Sequence, residues 1–289
     1  MRVLVLGAYG MLGHRLLLEL GHGEEAFGTC RNLAQGGVGA RLVPADLLVP
    51  GVDATRFESV AKAISSTSPD AVVNCIGIVK QLKEAHDPVA SELINSTFPH
   101  LLADECARRG ARLVHFSTDC VFSGRKGMYT EEDVPDPVDL YGRTKLAGEV
   151  RAEGCVTLRT SLIGRELDSA NGLVEWFLRN RGGRVKGYTN AVFSGFTTTE
   201  MARVVRKVLR ERPRMSGVWH VASKPISKYD LLMLVNERMG LRTEIEEEAL
   251  PRVDRSLDGR RFEKEIGYSP PDWEAMVGEM ASESHQYER

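Results

Sequence analysis

Short apolar runs alternate, through the first half of the chain, with longer stretches in which apolar residues recur every three or four positions. The runs Arg2–Leu6, Ala26–Thr29, Ala71–Asn74, Leu113–Phe116 and Val156–Leu158 are mostly apolar with no regular polar alternation, the pattern of strands covered on both faces. Between them, Met11–Leu20, Thr55–Ile64, Val89–Arg109 and Tyr141–Ala152 carry helical spacing. This β-α alternation predicts an α/β fold, a Rossmann-type doubly wound parallel sheet with helices on both faces. The segment Arg31–Ala40 is short and glycine-rich, and predicts a loop in place of a crossover helix.

After about Ser161 the pattern changes. Leu173–Arg179, Thr198–Leu209 and Lys228–Met239 have helical spacing, Val218–Val221 reads as one further strand, and Glu244–Glu248 as the solvated face of a helix. The expected organisation is a dinucleotide-binding domain over 1–160, rejoined by 190–222, with a smaller C-terminal substrate lobe over 161–289. Such a lobe would close over the carboxyl edge of the sheet, where ligands of open α/β sheets bind. The arginines between Arg203 and Arg214 are interleaved with Val204, Val205, Val208 and Leu209, so they predict a helix with one solvated face.

Composition narrows the function classes. A chain of 289 residues, 42% of them hydrophobic, can bury a nucleotide domain plus a smaller lobe. A formal net charge of -2 gives no electrostatic basis for a nucleic-acid partner or an acidic membrane surface. No apolar run has the length of a membrane span, and Val3–Leu6 is too short for a signal core. The five cysteines include no C-x-x-C pair and are odd in number, which argues against a disulfide framework or a zinc site. A cytoplasmic protein is expected.

Chemistry enters with Gly7-Ala8-Tyr9-Gly10-Met11-Leu12-Gly13, between the first strand and the first helix. Gly7 suits a tight turn, Gly10 lets backbone approach a pyrophosphate, and Gly13 lets helix and strand pack closely. The N-terminus of the helix offers free N–H groups and positive potential to phosphates. Gly7, Tyr9, Gly10, Met11, Leu12 and Gly13 are therefore candidate cofactor contacts. The second strand ends in Arg31 with no acidic residue beside it. An arginine there can pair with a 2′-phosphate, which favours NADP (NADPH over NADH). The competing reading is a solvated surface arginine. Asp46 and Leu47, taken to follow the third strand, are candidates for the adenine. Cys75, Gly77 and Val79, after the fourth strand, are candidates for the floor beneath the nicotinamide.

Tyr141-Gly142-Arg143-Thr144-Lys145 is the only Y-x-x-x-K in the chain. Residues four apart share a helix face, so an ammonium beside the phenol can stabilise phenolate and lower a pKa near 10. Ser117-Thr118-Asp119 supplies a hydroxyl from the end of the neighbouring strand. Thr118, Tyr141 and Lys145 form the candidate catalytic set.

The glycine loop, Ser117-Thr118-Asp119-Cys120-Val121-Phe122-Ser123-Gly124, Tyr129–Asp133, Tyr141–Glu149, Leu158-Arg159-Thr160-Ser161 and Arg252–Trp273 together resemble an extended short-chain dehydrogenase/reductase. More narrowly, the chain is similar to the dTDP-4-dehydrorhamnose reductase group over nearly its whole length. The resemblance implies an NADPH-dependent reduction of the 4-keto group of a nucleotide-linked deoxysugar. In it, Tyr141 donates a proton, Thr118 bonds the keto oxygen, Lys145 holds the nicotinamide ribose, and Asp119 contacts the sugar. The group usually has Tyr where Cys120 stands and Trp where Leu162 stands, both lining the sugar pocket, and a more polar stretch at Gly77-Ile78-Val79. A pocket altered at Cys120 and Leu162 implies a substrate other than the dTDP-rhamnose precursor. The alternatives are a sugar-nucleotide epimerase or dehydratase with tightly held NAD, and a non-catalytic regulatory subunit of the methionine adenosyltransferase type. A homodimer is also expected.

Overall fold

The computed structural model describes residues Met1 to Glu288. Strands β1 (Arg2–Leu6), β2 (Glu25–Thr29), β3 (Leu48–Val49), β4 (Ala71–Asn74), β5 (Arg112–Thr118) and β6 (Cys155–Thr160) all pair in parallel. Helices α1 (Gly13–Leu20), α2 (Gly37–Leu42), α3 (Phe57–Thr67), α4 (Pro88–Ser91), α5 (Phe98–Arg108) and α6 (Leu140–Ala147) connect them. Past Thr160 come β7 (Leu162–Ile163), α7 (Leu173–Arg179), β8 (Arg184–Tyr188), β9 (Ala191–Phe193), β10 (Phe196–Thr197), α8 (Thr198–Glu211) and β11 (Gly217–His220). β11 adds to β6 and completes a seven-stranded sheet of order β11-β6-β5-β4-β1-β2-β3. The chain ends through β12 (Ile226–Ser227), α9 (Lys228–Met239), β13 (Glu244–Glu248), β14 (Val253–Asp254), α10 (Arg260–Ile266) and α11 (Trp273–Glu283).

The continuous apolar strands follow from burial on both faces. Val3, Val5, Val73 and Val114 face a core shared with Leu16 of α1 and with Val204, Val205 and Val208 of α8. Leu4, Leu6, Val72 and Leu113 face Val60, Ile64 and Leu102 of α3 and α5. Each such side chain contributes about 1.5–3 kcal/mol relative to an exposed one. The strand order reverses between β1 and β4, so a crevice opens there at the carboxyl ends. Three small sheets, β10–β7, β12–β9–β14 and β13–β8, make up the rest of the strand structure. The segment rejoining the main sheet is α8–β11, while β9, inside the range expected to return, pairs with β12 and β14.

Four expectations change. Part of Arg31–Ala40 is helical, because α2 buries Val38 and its Arg41 Nη2 donates to the carbonyls of Gln286 and Glu288. That tertiary packing outweighs poor helix propensity. Glu244–Glu248 is a strand, paired in parallel with β8 and cross-linked to it through Arg184–Glu244 and Lys186–Glu248. Val89–Arg109 is interrupted by a π-helical segment at Glu92–Thr97 that carries Asn95 inward. The helix read as Tyr141–Ala152 ends at Ala147, where Gly148 packs against the carbonyl of Asn95.

Candidate active site

The glycine loop lies at the carboxyl end of β1, beside the strand-order reversal. A Cβ at Gly13 would stand 2.1 Å from the Gly7 carbonyl oxygen, so α1 approaches the loop as closely as only glycine allows. The first N–H groups of α1 have no carbonyl of their own helix to pair with, which fits a pyrophosphate. Tyr9 turns its hydroxyl to accept from the Ala34 N–H at 3.0 Å, tying the loop to the segment after β2. His14 Nδ1–H donates to the Gly10 carbonyl at 2.8 Å, and its Nε2 accepts from Tyr287 at 2.7 Å. Met11 and Leu12 complete the turn, Leu12 as the residue before α1.

Arg31 lies exposed at the carboxyl end of β2. Asp46 and Leu47 precede β3 in a 3₁₀ turn, at the wrong end of that strand for the crevice. Asp53 follows β3 instead. Its carboxylate accepts from the Thr55 N–H at 2.9 Å, and that bond, helped by Arg56 and Arg31, holds it below the usual carboxylate range. The misplacement has a simple cause: β3 is only two residues long, and the pattern does not reveal it.

After β4, Cys75 and Gly77 are half-buried and Val79 is 39% exposed. Asn95 holds this loop, accepting from the Ile78 N–H and donating to the Ile78 carbonyl, each at 2.9 Å. It also donates to Thr144 Oγ1 of α6 at 3.3 Å. The sequence reading passed over Asn95, whose only signal was a polar residue within an apolar helical pattern.

Thr118 ends β5, and Tyr141 and Lys145 lie on α6, which crosses behind it. Gly142 makes the crossing possible, since a Cβ there would meet the Cys120 carbonyl oxygen at 2.2 Å. Thr118 Oγ1 donates to Asp119 Oδ1 and accepts from the Cys120 N–H, both at 3.1 Å, and is near enough to the Tyr141 phenol to favour its ionised form. Ser161 Oγ donates to Asp119 Oδ2 at 2.5 Å, so the carboxylate spans the ends of β5 and β6. The three candidate catalytic residues converge.

Their electrostatics differ from the expectation. Burial pushes the Tyr141 phenol up, Cys120, Asp119 and Asp139 add to the rise, and only the Thr118 hydroxyl opposes it. Burial lowers Lys145 to about 8, against an opposing pull from Glu149. The phenol therefore holds its proton firmly, as an acid must before it gives the proton away. Burial likewise raises the Cys120 thiol to about 11, too high for a thiolate nucleophile at neutral pH.

Cations ring the opening. Lys80 Nζ pairs with Asp139 at 2.5 Å and sits 5.8 Å from the centre of the Tyr141 ring. Arg255 Nε donates to the Phe122 carbonyl at 2.9 Å, and its charge, like that of Lys80, reaches Cys120. Lys228, on the first turn of α9, feels the charge of Asp119. Leu162 pairs with Phe196 on the small sheet and packs partly into the main core. Among the described residues no cluster could hold a metal ion, and no helix is long and apolar enough to cross a membrane.

A glycine-looped parallel sheet with a hydroxyl, a phenol and an ammonium at its carboxyl edge defines an extended short-chain dehydrogenase/reductase. The chain belongs to the family described as RmlD substrate binding domain, whose model matches residues 1–286. The dTDP-4-dehydrorhamnose reductase of Escherichia coli strain K12 is 29% identical over 257 residues, covering 80% of this chain and 85% of that one. The spore coat polysaccharide biosynthesis protein SpsK of Bacillus subtilis strain 168 is 29% identical over 303 residues, 98% of this chain and 97% of its own. A crystal structure of dTDP-4-dehydrorhamnose reductase from Bacillus anthracis strain Ames, in complex with NADP, shares the fold at a TM-score of 0.81. It is 19% identical and covers 98% of this chain and 99% of that one.

Proposed function

We propose that this chain is an NADPH-dependent ketoreductase acting on the 4-keto group of a nucleotide-linked deoxysugar. The observation that carries the reading is Thr118 at the end of β5 set against the helix that bears Tyr141, with Lys145 buried one helical turn on. The cofactor, when bound, supplies hydride to the carbonyl carbon. Tyr141 gives its proton to the carbonyl oxygen, and Thr118 turns its hydroxyl from Asp119 to that oxygen. Lys145 stabilises the phenolate left behind and holds the nicotinamide ribose. Gly7, Tyr9, Gly10, Met11, Leu12 and Gly13 hold the pyrophosphate side, Arg31 the 2′-phosphate, Asp53 the adenine, and Cys75, Gly77 and Val79 the nicotinamide side. Asp46 and Leu47 are left out because β3 runs away from them.

Lys80, Lys228 and Arg255 suit the diphosphate of a nucleotide sugar, with Cys120 and Leu162 facing the sugar and the small sheets forming the substrate lobe. Nothing in the site favours a non-catalytic role, since a pure binding module has no need of a phenol, a hydroxyl and an ammonium together. The test is NADPH oxidation across a panel of nucleotide-linked 4-keto-6-deoxysugars. Turnover of at least one is expected, and no turnover of any by cofactor-binding protein would overturn the reading. We also read the chain as a homodimer, on the strength of Val89, Leu93 and Leu101 standing 75%, 37% and 39% exposed on α4, the π segment and α5. A single monomeric species in sedimentation would refute that. All five cysteines are free, which suits a reducing cytoplasm.

A further inference from the structure

His14, the second residue of α1, is 0% exposed. An apolar side chain there would join Leu16, Leu17 and Leu20 in the core, whereas a buried imidazole costs free energy unless its nitrogens are paired. Both are paired. Nδ1–H donates to the Gly10 carbonyl at 2.8 Å, and Nε2 accepts from the Tyr287 hydroxyl at 2.7 Å. The Gly10 carbonyl already accepts the backbone N–H of His14, at 3.3 Å, so the ring is not needed to satisfy it. What the ring adds is a second, shorter bond to one peptide of the glycine loop.

That peptide joins Gly10 to Met11, and a trans peptide points its N–H opposite to its carbonyl. With the Gly10 carbonyl drawn toward His14, the Met11 N–H is turned away from the body of α1. Gly10 is exposed and has no side chain to restrict it, so the loop would otherwise be loosest at this point. Its own N–H donates to the Gly7 carbonyl at 2.9 Å, which fixes the other side. Tyr287 is held in turn. Its ring meets His14 edge-on with centres 5.6 Å apart, and the Arg165 guanidinium lies 4.8 Å from its centre. The segment that carries it is fastened by Arg15 Nη2 to Glu283 at 2.7 Å and by Arg41 to the Gln286 and Glu288 carbonyls. Glu283–Glu288 thereby ties together α1 and α2, the helices that follow the first two strands of the sheet.

We propose that His14, held by Tyr287, is a positioning residue that presets the Gly10–Met11 peptide for the pyrophosphate of the dinucleotide, with Glu283–Glu288 as its brace. The inference rests on the dinucleotide site described above. A loop ordered before binding does not have to be ordered by the ligand, so the gain appears as affinity. The pyrophosphate is common to NADPH and NADH, so the gain is the same for both, unlike that of Arg31.

Three variants of the full chain test this by calorimetric titration with NADPH and NADH, alongside steady-state kinetics. His14→Leu removes both bonds and fills the space, and should weaken both dinucleotides by about tenfold. Tyr287→Phe keeps the ring and removes one donor, and should weaken both by about threefold. His14→Asn keeps an N–H at the place of Nδ1, and should recover most of the affinity lost in His14→Leu. The kcat at saturating cofactor should stay within about twofold in all three, the mark of binding lost equally from ground and transition states. A purely structural histidine would lower the melting temperature in each variant and leave both affinities unchanged, which overturns the proposal. Loss of NADPH affinity with NADH unaffected overturns it too, because the effect would then lie at the 2′-phosphate. Should His14→Leu fail to fold, Tyr287→Phe decides alone. Failure of the unmodified protein to bind either dinucleotide would instead refute the dinucleotide site itself.

Discussion

At Tyr141 the reaction depends on a proton that burial keeps in place. Tyr141→Phe removes it without disturbing the glycine loop, so cofactor binding should persist while turnover falls by about two to four powers of ten. Lys145→Met should lower turnover and cofactor affinity together, if Lys145 both stabilises the phenolate and holds the nicotinamide ribose as proposed. Steady-state kinetics with fluorescence binding separate the two, and undiminished turnover in Tyr141→Phe would end the assignment. Arg31 presents a simpler question, because it is exposed and its charge is shared with Asp53. A charge-assisted contact to a 2′-phosphate is worth roughly 1.5–3 kcal/mol, a preference for NADPH of about tenfold or more. Arg31→Ala should erase it. Equal affinity for NADPH and NADH in the unmodified protein would mean that Arg31 serves only the surface.

Elements differ in how openly the sequence announces them. β1 and β4 coincide with their apolar runs to the residue, and α7 and α9 with their helical spacing, because burial imposes a period that side chains must obey. Thr118, Tyr141 and Lys145 were legible for the same reason, as spacing on known elements. Glu244–Glu248 hid its strand because its ladder partner lies some sixty residues earlier and its charges are balanced by Arg184 and Lys186. The π segment was invisible because one extra residue per turn leaves no mark on hydrophobic spacing. Asn95 and the buried Glu149–Arg159 ion pair depend on contacts across elements, which no local pattern encodes, and Asp53 was missed because β3 is only two residues long. On the proposed function Cys120, in the turn after β5, and Leu162, on β7, face the sugar; the cations Lys80, Lys228 and Arg255 act on Cys120 or on one another. An aromatic side chain covers on the order of 150–250 Å², so Cys120→Tyr should refill much of the space. The unmodified enzyme should prefer a keto sugar bulkier than dTDP-4-keto-rhamnose, and Cys120→Tyr should shift kcat/KM toward the smaller one. Fastest turnover of dTDP-4-keto-rhamnose by the unmodified enzyme would refute the widened pocket.

Over the whole molecule, two buried histidines join parts of the chain that are far apart in sequence. His14 connects the glycine loop to Tyr287 near the C-terminus, and His220 of β11 connects Arg159 to the Tyr129 carbonyl. Each is fully buried, and burial lowers each from 6.5 to about 4, with the neighbouring arginine charge adding to the effect. Both use one ring nitrogen as donor and the other as acceptor, so both are neutral in the folded state. Below pH 6.5 the unfolded chain takes up protons that the folded chain refuses, so stability is complete above that pH and is lost as the pH falls toward 4. At 1.36 kcal/mol per unit, each site stands to cost about 3 kcal/mol over that interval, a large part of an ordinary folding free energy. Urea unfolding at pH 7.5 and pH 5 should show a clear drop in midpoint. His14→Gln retains a donor and an acceptor without a titrating group, and should flatten part of the slope even though it lowers stability at pH 7.5. A midpoint that is unchanged between the two pH values would show that these histidines already carry a proton in the folded protein, and that their hydrogen-bond partners are not the ones described.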